Sequence, residues 1–204
     1  MTLRPAERGN MEKGSVGSAI IKSVVLIVLG AMVVLGIYLM LTRTRKQPAK
    51  DEDYTITVVD EITTTNLEKS YPASARKVVE LYAKIMQTLY RETYDEDQRD
   101  AMIAVLQGLM DEELLANNVN FVGEIQVEVN SRKAQQYSIP AYVVQTKEPE
   151  EVSVDGRKMC SVDCLFNVRN ATNPTVTHYY TFILRRDQET GNWKILGWTL
   201  KEEE

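Results

Sequence analysis

Cysteine, histidine and proline are scarce in this 204-residue chain, which has two, one and six of them. Two cysteines exclude a disulfide-rich scaffold, and 44% hydrophobic with 26% charged residues excludes disorder throughout and a collagen-like repeat. No internal repeat is visible. The sequence also lacks the P-loop, G-x-G-x-x-G, G-x-S-x-G and H-E-x-x-H motifs, so no motif names a reaction.

Charge is unevenly distributed along the chain. Residues 1–50 contain eight Lys or Arg and two acids, a net charge of +6, whereas residues 51–204 carry a net charge of −11. An acidic domain repels a phosphate backbone, so the sequence predicts no nucleic-acid partner.

An uncharged apolar run lies at Ser23–Leu41. As a helix it would extend about 28 Å, close to the hydrocarbon thickness of a bilayer. The run is not followed by an A-x-A cleavage site, which argues against a cleaved signal peptide, nor by a nearby cysteine, which argues against a lipoprotein signal. It also has no polar face, which a buried core helix would show. We therefore expect a transmembrane helix at residues 19–41. The residues predicted to anchor it are Lys22, Tyr38, Arg43, Arg45 and Lys46.

Positive residues flank both ends of this run, so the positive-inside rule hardly distinguishes the two possible orientations. A short N-terminal tail before one span is typical of a signal anchor. The sequence thus predicts a cytoplasmic tail at 1–18, a linker at 42–53 and an extracytoplasmic domain at 54–204. The expected location is the cell membrane, with a single pass and with the lipid bilayer as a partner.

The first half of the domain is predicted to be mostly helical. Residues 54–58 alternate like a short strand, and 60–70 resemble a loop. Helices are expected after the N-cap candidate Ser74, from Asp95, and after Asp111. Residues 119–136 fit a helix or a strand, and we choose the helix.

The second half of the domain is predicted to be an antiparallel meander, which makes the fold class α+β. Strands are expected at 139–146, 152–154, 159–169, 175–186 and 193–201, with a hairpin turn at Asp155-Gly156. Period-two alternation assigns ten side chains to the face that packs on the helices. These are Cys160, Val162, Cys164, Phe166, Val168, Val176, His178, Tyr180, Phe182 and Leu184.

The segment YYTFILRRDQETGNWKILGWTL, after helices such as LEKSYPASARKVVELYAKIMQTLY, resembles the nuclear transport factor 2-like (cone) fold. The chain is also similar to membrane-anchored proteins of an uncharacterised Gram-positive bacterial family. The resemblance covers roughly residues 66–201. It implies a cone-like domain with two or three helices packed on a curved antiparallel sheet, preceded here by the transmembrane helix. The candidate pocket residues are His178, Tyr180, Phe182 and Trp198.

Few residues suggest catalysis. Cys160 and Cys164 on one strand would be about 13 Å apart, too far for a disulfide, and we interpret both as core residues. His178 could act with a carboxylate, but Asp163 alternates onto the opposite face. The aromatic side chains, Trp198 and Tyr180 included, suit packing better than a ligand cage. We expect no catalytic residue, no metal and no cofactor.

These observations favour a membrane-anchored binding or assembly module over an enzyme. One alternative is a cone-fold enzyme acting on a small molecule in a pocket. Another is a scaffold subunit of an envelope or secretion complex. The expected protein partner is a second copy of the chain or an envelope protein.

Overall fold

The computed structural model describes residues 56–201, which belong to one compact unit, residues 55–204. Its helices are α1 (Val58–Thr63), α2 (Ala75–Arg91), α3 (Glu96–Gly108), α4 (Glu112–Asn117) and α5 (Phe121–Ala134). Its strands are β1 (Tyr137–Val144), β2 (Val152–Val154), β3 (Arg157–Asn170), β4 (Val176–Arg186) and β5 (Trp193–Lys201).

Side-chain caps determine where the helices begin. Ser74, Asp95 and Asp111 accept hydrogen bonds from backbone amides in the first turns of α2, α3 and α4. Each cap satisfies a donor that the helix itself leaves unpaired. The three predicted helix starts are confirmed, and residues 119–136 are confirmed as mainly helical because they contain α5.

The five strands form one antiparallel sheet in the order β1-β3-β4-β5, with β2 paired to the start of β3. Asp155 and Gly156 turn the β2–β3 hairpin with φ of 50° and 79°, the left-handed conformation that such a tight turn requires. Register shifts interrupt the β1–β3 and β4–β5 ladders. Irregularities of this kind bend a strand locally and increase its twist.

The core lies between the helices and the inner face of the sheet. Cys160, Val162, Cys164, Phe166, Phe182 and Leu184 are buried there, which confirms the predicted register of the β3–β4 hairpin. Val168, His178 and Tyr180 lie on the same face and are half-buried. Val176 is the exception at 55% exposed, since it lies at the beginning of β4 opposite Val168, which is itself only partly covered.

A buried ion pair joins the helices to the sheet. The guanidinium of Arg185 on β4 makes two hydrogen bonds to the carboxylate of Asp111, one of them from Nε at 3.0 Å. Arg185 Nη1 also donates to Oε2 of the exposed Glu113, at 2.7 Å. Beside the pair, the Asp111 amide donates to the Ile195 carbonyl at 2.8 Å. Asp111 therefore caps α4 and fixes this part of the chain against β4 and β5.

The predicted fold class needs correction. Its α+β arrangement is present, but none of the helices within residues 56–201 is long and apolar enough to cross a membrane. The longest, α2, has 17 residues and is amphipathic, with one face in the core and the other partly exposed. Five helices are described, not two or three. The predicted transmembrane segment at 19–41 and its anchors Lys22, Tyr38, Arg43, Arg45 and Lys46 lie outside the described residues.

The prediction for residues 54–70 is wrong over Val58–Thr63, whereas residues 64–70 form turns and loop as expected. Val58–Thr63 is a helix, not the end of a strand and the beginning of a loop. Thr57 and Asp60 form a reciprocal capping box, in which each side chain accepts the other residue's backbone amide at 3.1 Å. Val59 and Ile62 are buried, and their packing in the core stabilises this short helix.

Candidate functional site

A cavity of about 380 Å³ lies between α2, α5 and the inner face of the sheet. Strand alternation directs His178, Tyr180 and Phe182 of β4 towards it, and Trp198 pairs with Phe182 from the neighbouring β5. All four candidate pocket residues therefore line one cavity. The full lining comprises Tyr82, Met86, Tyr90, Ile125, Glu128, Arg132, Tyr137, Ile139, Phe166, Val168, His178, Tyr180, Phe182 and Trp198.

The apolar part of the wall is a continuous set of aromatic rings. The ring of Tyr82 meets that of Phe182 edge-on with centroids 4.9 Å apart, and Trp198 lies 5.7 Å from Tyr82 and 5.9 Å from Phe182. Phe166 and Tyr180 extend the set with a T-shaped contact at 5.8 Å. Rings that pack on one another in this way hold their positions, which gives the cavity a preformed apolar wall.

A tyrosine–glutamate pair introduces charge into the wall. The Tyr90 hydroxyl on α2 donates to Oε1 of Glu128 on α5, at 2.9 Å. Burial raises the pKa of Tyr90 above its usual range, and the negative charge of Glu128 raises it further. The Tyr90 hydroxyl therefore remains protonated at neutral pH and orients one oxygen of the Glu128 carboxylate.

Two further polar side chains line the cavity. Arg132 lies one helical turn beyond Glu128 on α5, and its guanidinium stacks on the ring of Tyr137 at 5.0 Å from the centroid. His178 lies on the sheet side and is half-buried. The cavity thus combines an aromatic interior with one acid, one guanidinium and one imidazole.

Sequence reasoning did not identify Tyr90, Glu128 or Arg132. The only available signal was the i, i+4 spacing of Glu128 and Arg132, which places both on one face of a helix. That spacing is informative only if residues 119–136 are helical, and the sequence left this segment ambiguous. The acid that shares the cavity with His178 is Glu128.

Asp163 lies on the outer face of the sheet, as its alternation predicts. It is exposed, accepts a hydrogen bond from the Thr181 hydroxyl at 2.7 Å and pairs with the Lys201 ammonium at 2.8 Å. The side chains of Asp163 and His178 therefore point to opposite sides of the sheet, and Asp163 does not belong to the cavity.

The two cysteines lie in the core rather than in the cavity wall. Cys160 and Cys164 are free and buried, and burial raises the pKa of each thiol to about 12. Thiols in this state are poor nucleophiles and poor metal ligands at neutral pH. Within residues 56–201, no group of three or more His, Cys, Asp or Glu side chains could hold a metal ion.

Comparison with known proteins gives little functional information. One solved structure that matches this chain distantly is the intermembrane space region of the chloroplast protein ARC6. It is 14% identical, covers 68% of this chain and 98% of its own, and has a TM-score of 0.36. A likeness this distant assigns neither a fold nor a function. No curated protein matches the sequence.

One protein family matches over nearly the whole length of the chain. The match extends over residues 11–198 and therefore includes the apolar run, all the helices described above and the sheet as far as Trp198. The chain belongs to the family described as "Domain of unknown function (DUF6715)".

Proposed function

We propose that residues 56–201 form a binding domain whose cavity takes a small ligand with an apolar or aromatic body. The observation that supports this most directly is the cavity itself, which has a volume of about 380 Å³ and an interior of mutually packed aromatic rings. Binding pockets are commonly concave and mostly apolar, with a few polar groups that orient the ligand. Glu128, Arg132 and His178 have the position and chemistry for that orienting role.

A fluorescent probe tests this proposal on the purified full chain. The uncharged dye N-phenyl-1-naphthylamine should bind and fluoresce more strongly. Val168→Trp fills the cavity from β3 and should weaken binding at least tenfold. Val143→Trp is the matched control, because Val143 is 54% exposed and does not line the cavity. Equal dye affinity in both variants, with unchanged unfolding temperatures, would contradict the proposal.

A cavity enzyme remains the second candidate because Glu128 and His178 line the same cavity. A carboxylate and an imidazole are the usual partners in general acid–base catalysis. Complementation of a deletion strain separates the two candidates. An enzyme requires that Glu128→Gln and His178→Ala each abolish function while dye affinity and thermal unfolding stay unchanged. A binding domain predicts that function and affinity change together.

We also propose that the chain is attached to a membrane, which is supported by the apolar run at 23–41. We place the chain at the cell membrane with residues 54–204 on the extracytoplasmic side. Sedimentation with membranes after an alkaline wash, and digestion of the domain by protease added to protoplasts, are the expected results. Release into the soluble fraction would contradict attachment, and digestion only after lysis would reverse the orientation.

An assembly role with a second copy or an envelope protein is supported by β5. This strand is at the edge of the sheet, and its end exposes Trp198 at 37% and Leu200 at 52%. Open strand edges with apolar side chains are surfaces to which other chains can add. Crosslinking in membranes should recover a homodimer or one envelope protein, and Leu200→Lys should reduce that product. A monomer that captures no partner would contradict this role.

A further inference from the structure

Arg132 differs from most arginines of the described chain in having no hydrogen-bond acceptor. Arg76, Arg91, Arg99, Arg185 and Arg186 each pair with a carboxylate, and Arg157 donates to a backbone carbonyl. Within residues 56–201, the guanidinium of Arg132 contacts the ring of Tyr137 but no acidic side chain and no carbonyl. Arg132 is exposed, and its planar set of donors is oriented by stacking and is available to water or to a ligand.

The positive charge of Arg132 acts on the interior of the cavity. Burial raises the pKa of Tyr180, the negative charge of Glu128 raises it further, and the positive charge of Arg132 offsets a smaller part of this rise. Arg132 acts in the same sense on Tyr90. Because Tyr90 and Tyr180 come from opposite walls, on α2 and β4, the guanidinium exerts its field across the space where a ligand would lie.

The acid nearest in the chain, Glu128, makes no ion pair with Arg132 in the described residues, although its charge acts more strongly than that of Arg132 on Tyr90 and Tyr180. Glu128 is one turn away on α5, but its carboxylate accepts from the Tyr90 hydroxyl, and the described chain shows no ion pair between Glu128 and Arg132. The imidazole of His178 likewise has no hydrogen-bond partner in residues 56–201. Among the described residues, the cavity wall therefore contains a guanidinium and an imidazole without a hydrogen-bond partner, three hydroxyls that also lack one, those of Tyr82, Tyr137 and Tyr180, and one carboxylate that accepts from Tyr90.

We infer that the ligand is a small amphipathic carboxylate, with its apolar body on the aromatic wall and its carboxylate bound by Arg132, with His178 as a second donor. This inference rests on the proposed binding function and specifies the ligand class. Guanidinium and carboxylate match in two parallel hydrogen bonds, which is the geometry that a lysine or a hydroxyl cannot supply. An aliphatic and an aromatic acid share this chemistry.

Calorimetric titration of the full chain tests the inference with three probes of equal chain length: decanoate, decan-1-ol and decylamine. The aromatic acid 4-phenylbutyrate is a fourth probe that separates aliphatic from aromatic ligands. Decanoate or 4-phenylbutyrate should bind at least tenfold more tightly than decanol. Arg132→Gln should weaken carboxylate binding by about tenfold to a hundredfold and leave decanol affinity within twofold. Arg169→Gln is the matched control, because Arg169 also lacks an acceptor in residues 56–201 but lies outside the cavity.

Charge at Glu128 supplies an independent check. Glu128→Gln removes a negative charge from the same wall, so carboxylates should bind several-fold more tightly and decylamine more weakly. Equal affinity for decanoate and decanol in the parent chain, or no effect of Arg132→Gln on decanoate, would overturn the carboxylate inference and leave the apolar binding function intact. Failure of all four probes and of the dye to bind would overturn both.

Discussion

Phe182 belongs to the core and to the cavity wall at once. It is 1% exposed, contacts Tyr82 of α2 and Trp198 of β5, and pairs with the buried Val162 across the β3–β4 ladder. Few other side chains connect the helices and two strands of the sheet so directly. Its loss should therefore affect stability and ligand binding together.

Phe182→Ala is expected to lower the free energy of unfolding by about 3–5 kcal/mol, because it removes buried surface and leaves a void. Asp163→Asn is the control on the outer face. Its exposed interactions with Thr181 and Lys201 should contribute no more than about 1 kcal/mol. Urea denaturation measures both variants. A similar destabilisation by the two would mean that the register of β3 and β4 is not the one described.

Burial determines the reactivity of Cys160 and Cys164. Both thiols have a pKa raised to about 12, so at pH 8 they remain almost entirely protonated and inaccessible. We expect Ellman's reagent to modify neither thiol in the native protein within minutes and both at once in guanidinium chloride. Rapid modification of one thiol under native conditions would show that the β3 strand is open there.

At the scale of elements, the sequence shows where helices are capped and where strands alternate better than it shows which elements pack against each other. Ser74, Asp95 and Asp111 mark helix starts, and Asp155-Gly156 marks a hairpin, because these depend on residues only a few positions apart. The sequence does not predict the short helix α1 because residues 54–58 alternate like a strand as far as its first residue. Such local signals describe an element but do not show what packs against it.

The two walls of the cavity illustrate the same difference. Period-two alternation placed His178, Tyr180 and Phe182 on one face, so the sheet wall was accessible to sequence reasoning. The α5 wall was not, because that helix has polar residues on the side that faces the cavity. The pairing of Tyr90 with Glu128 joins positions 38 residues apart, and no pattern in the sequence predicts it.

The contact between α4 and the sheet provides a test at this scale. Asp111 is 2% exposed and its carboxylate is bound by Arg185, and without it this largely buried guanidinium would retain only the exposed Glu113 as an acidic partner. Asp111→Ala should cost about 3–5 kcal/mol of unfolding free energy. Glu113→Ala removes the exposed partner of the same guanidinium and should cost at most about 1 kcal/mol. Chemical denaturation measures both variants. Equal losses of unfolding free energy in Asp111→Ala and Glu113→Ala would contradict a stabilising role for the Asp111–Arg185 pair.

At the scale of the whole molecule, buried tyrosines couple folding to alkaline pH. Burial raises the pKa of Tyr82 and Tyr90 well above the ordinary value near 10. Above that pH the unfolded chain releases these protons and the folded chain retains them. The unfolded state is therefore favoured, and the free energy of unfolding decreases as the pH rises beyond about 10.

Absorbance at 295 nm and circular dichroism, followed together against pH, measure this coupling. Ionisation of the cavity tyrosines should coincide with the loss of secondary structure. Tyr82→Phe retains the ring and removes a titrating hydroxyl, so its alkaline transition should move to higher pH. Complete tyrosine ionisation in a chain that retains its native dichroism would contradict the burial of these side chains.

The two tryptophans give the molecule a pair of separate optical reporters. Trp198 lies in the cavity wall at 37% exposed, whereas Trp193 is 4% exposed beneath the guanidinium of Arg186, 4.5 Å from its ring centroid. Because the chain contains no other tryptophan, replacing either one by phenylalanine isolates the emission of the other. Acrylamide should quench Trp198 in the free protein and lose access to it when the cavity is occupied. Trp193 should report only on unfolding. Ligand binding in the cavity and unfolding of the domain can therefore be followed separately without an added label.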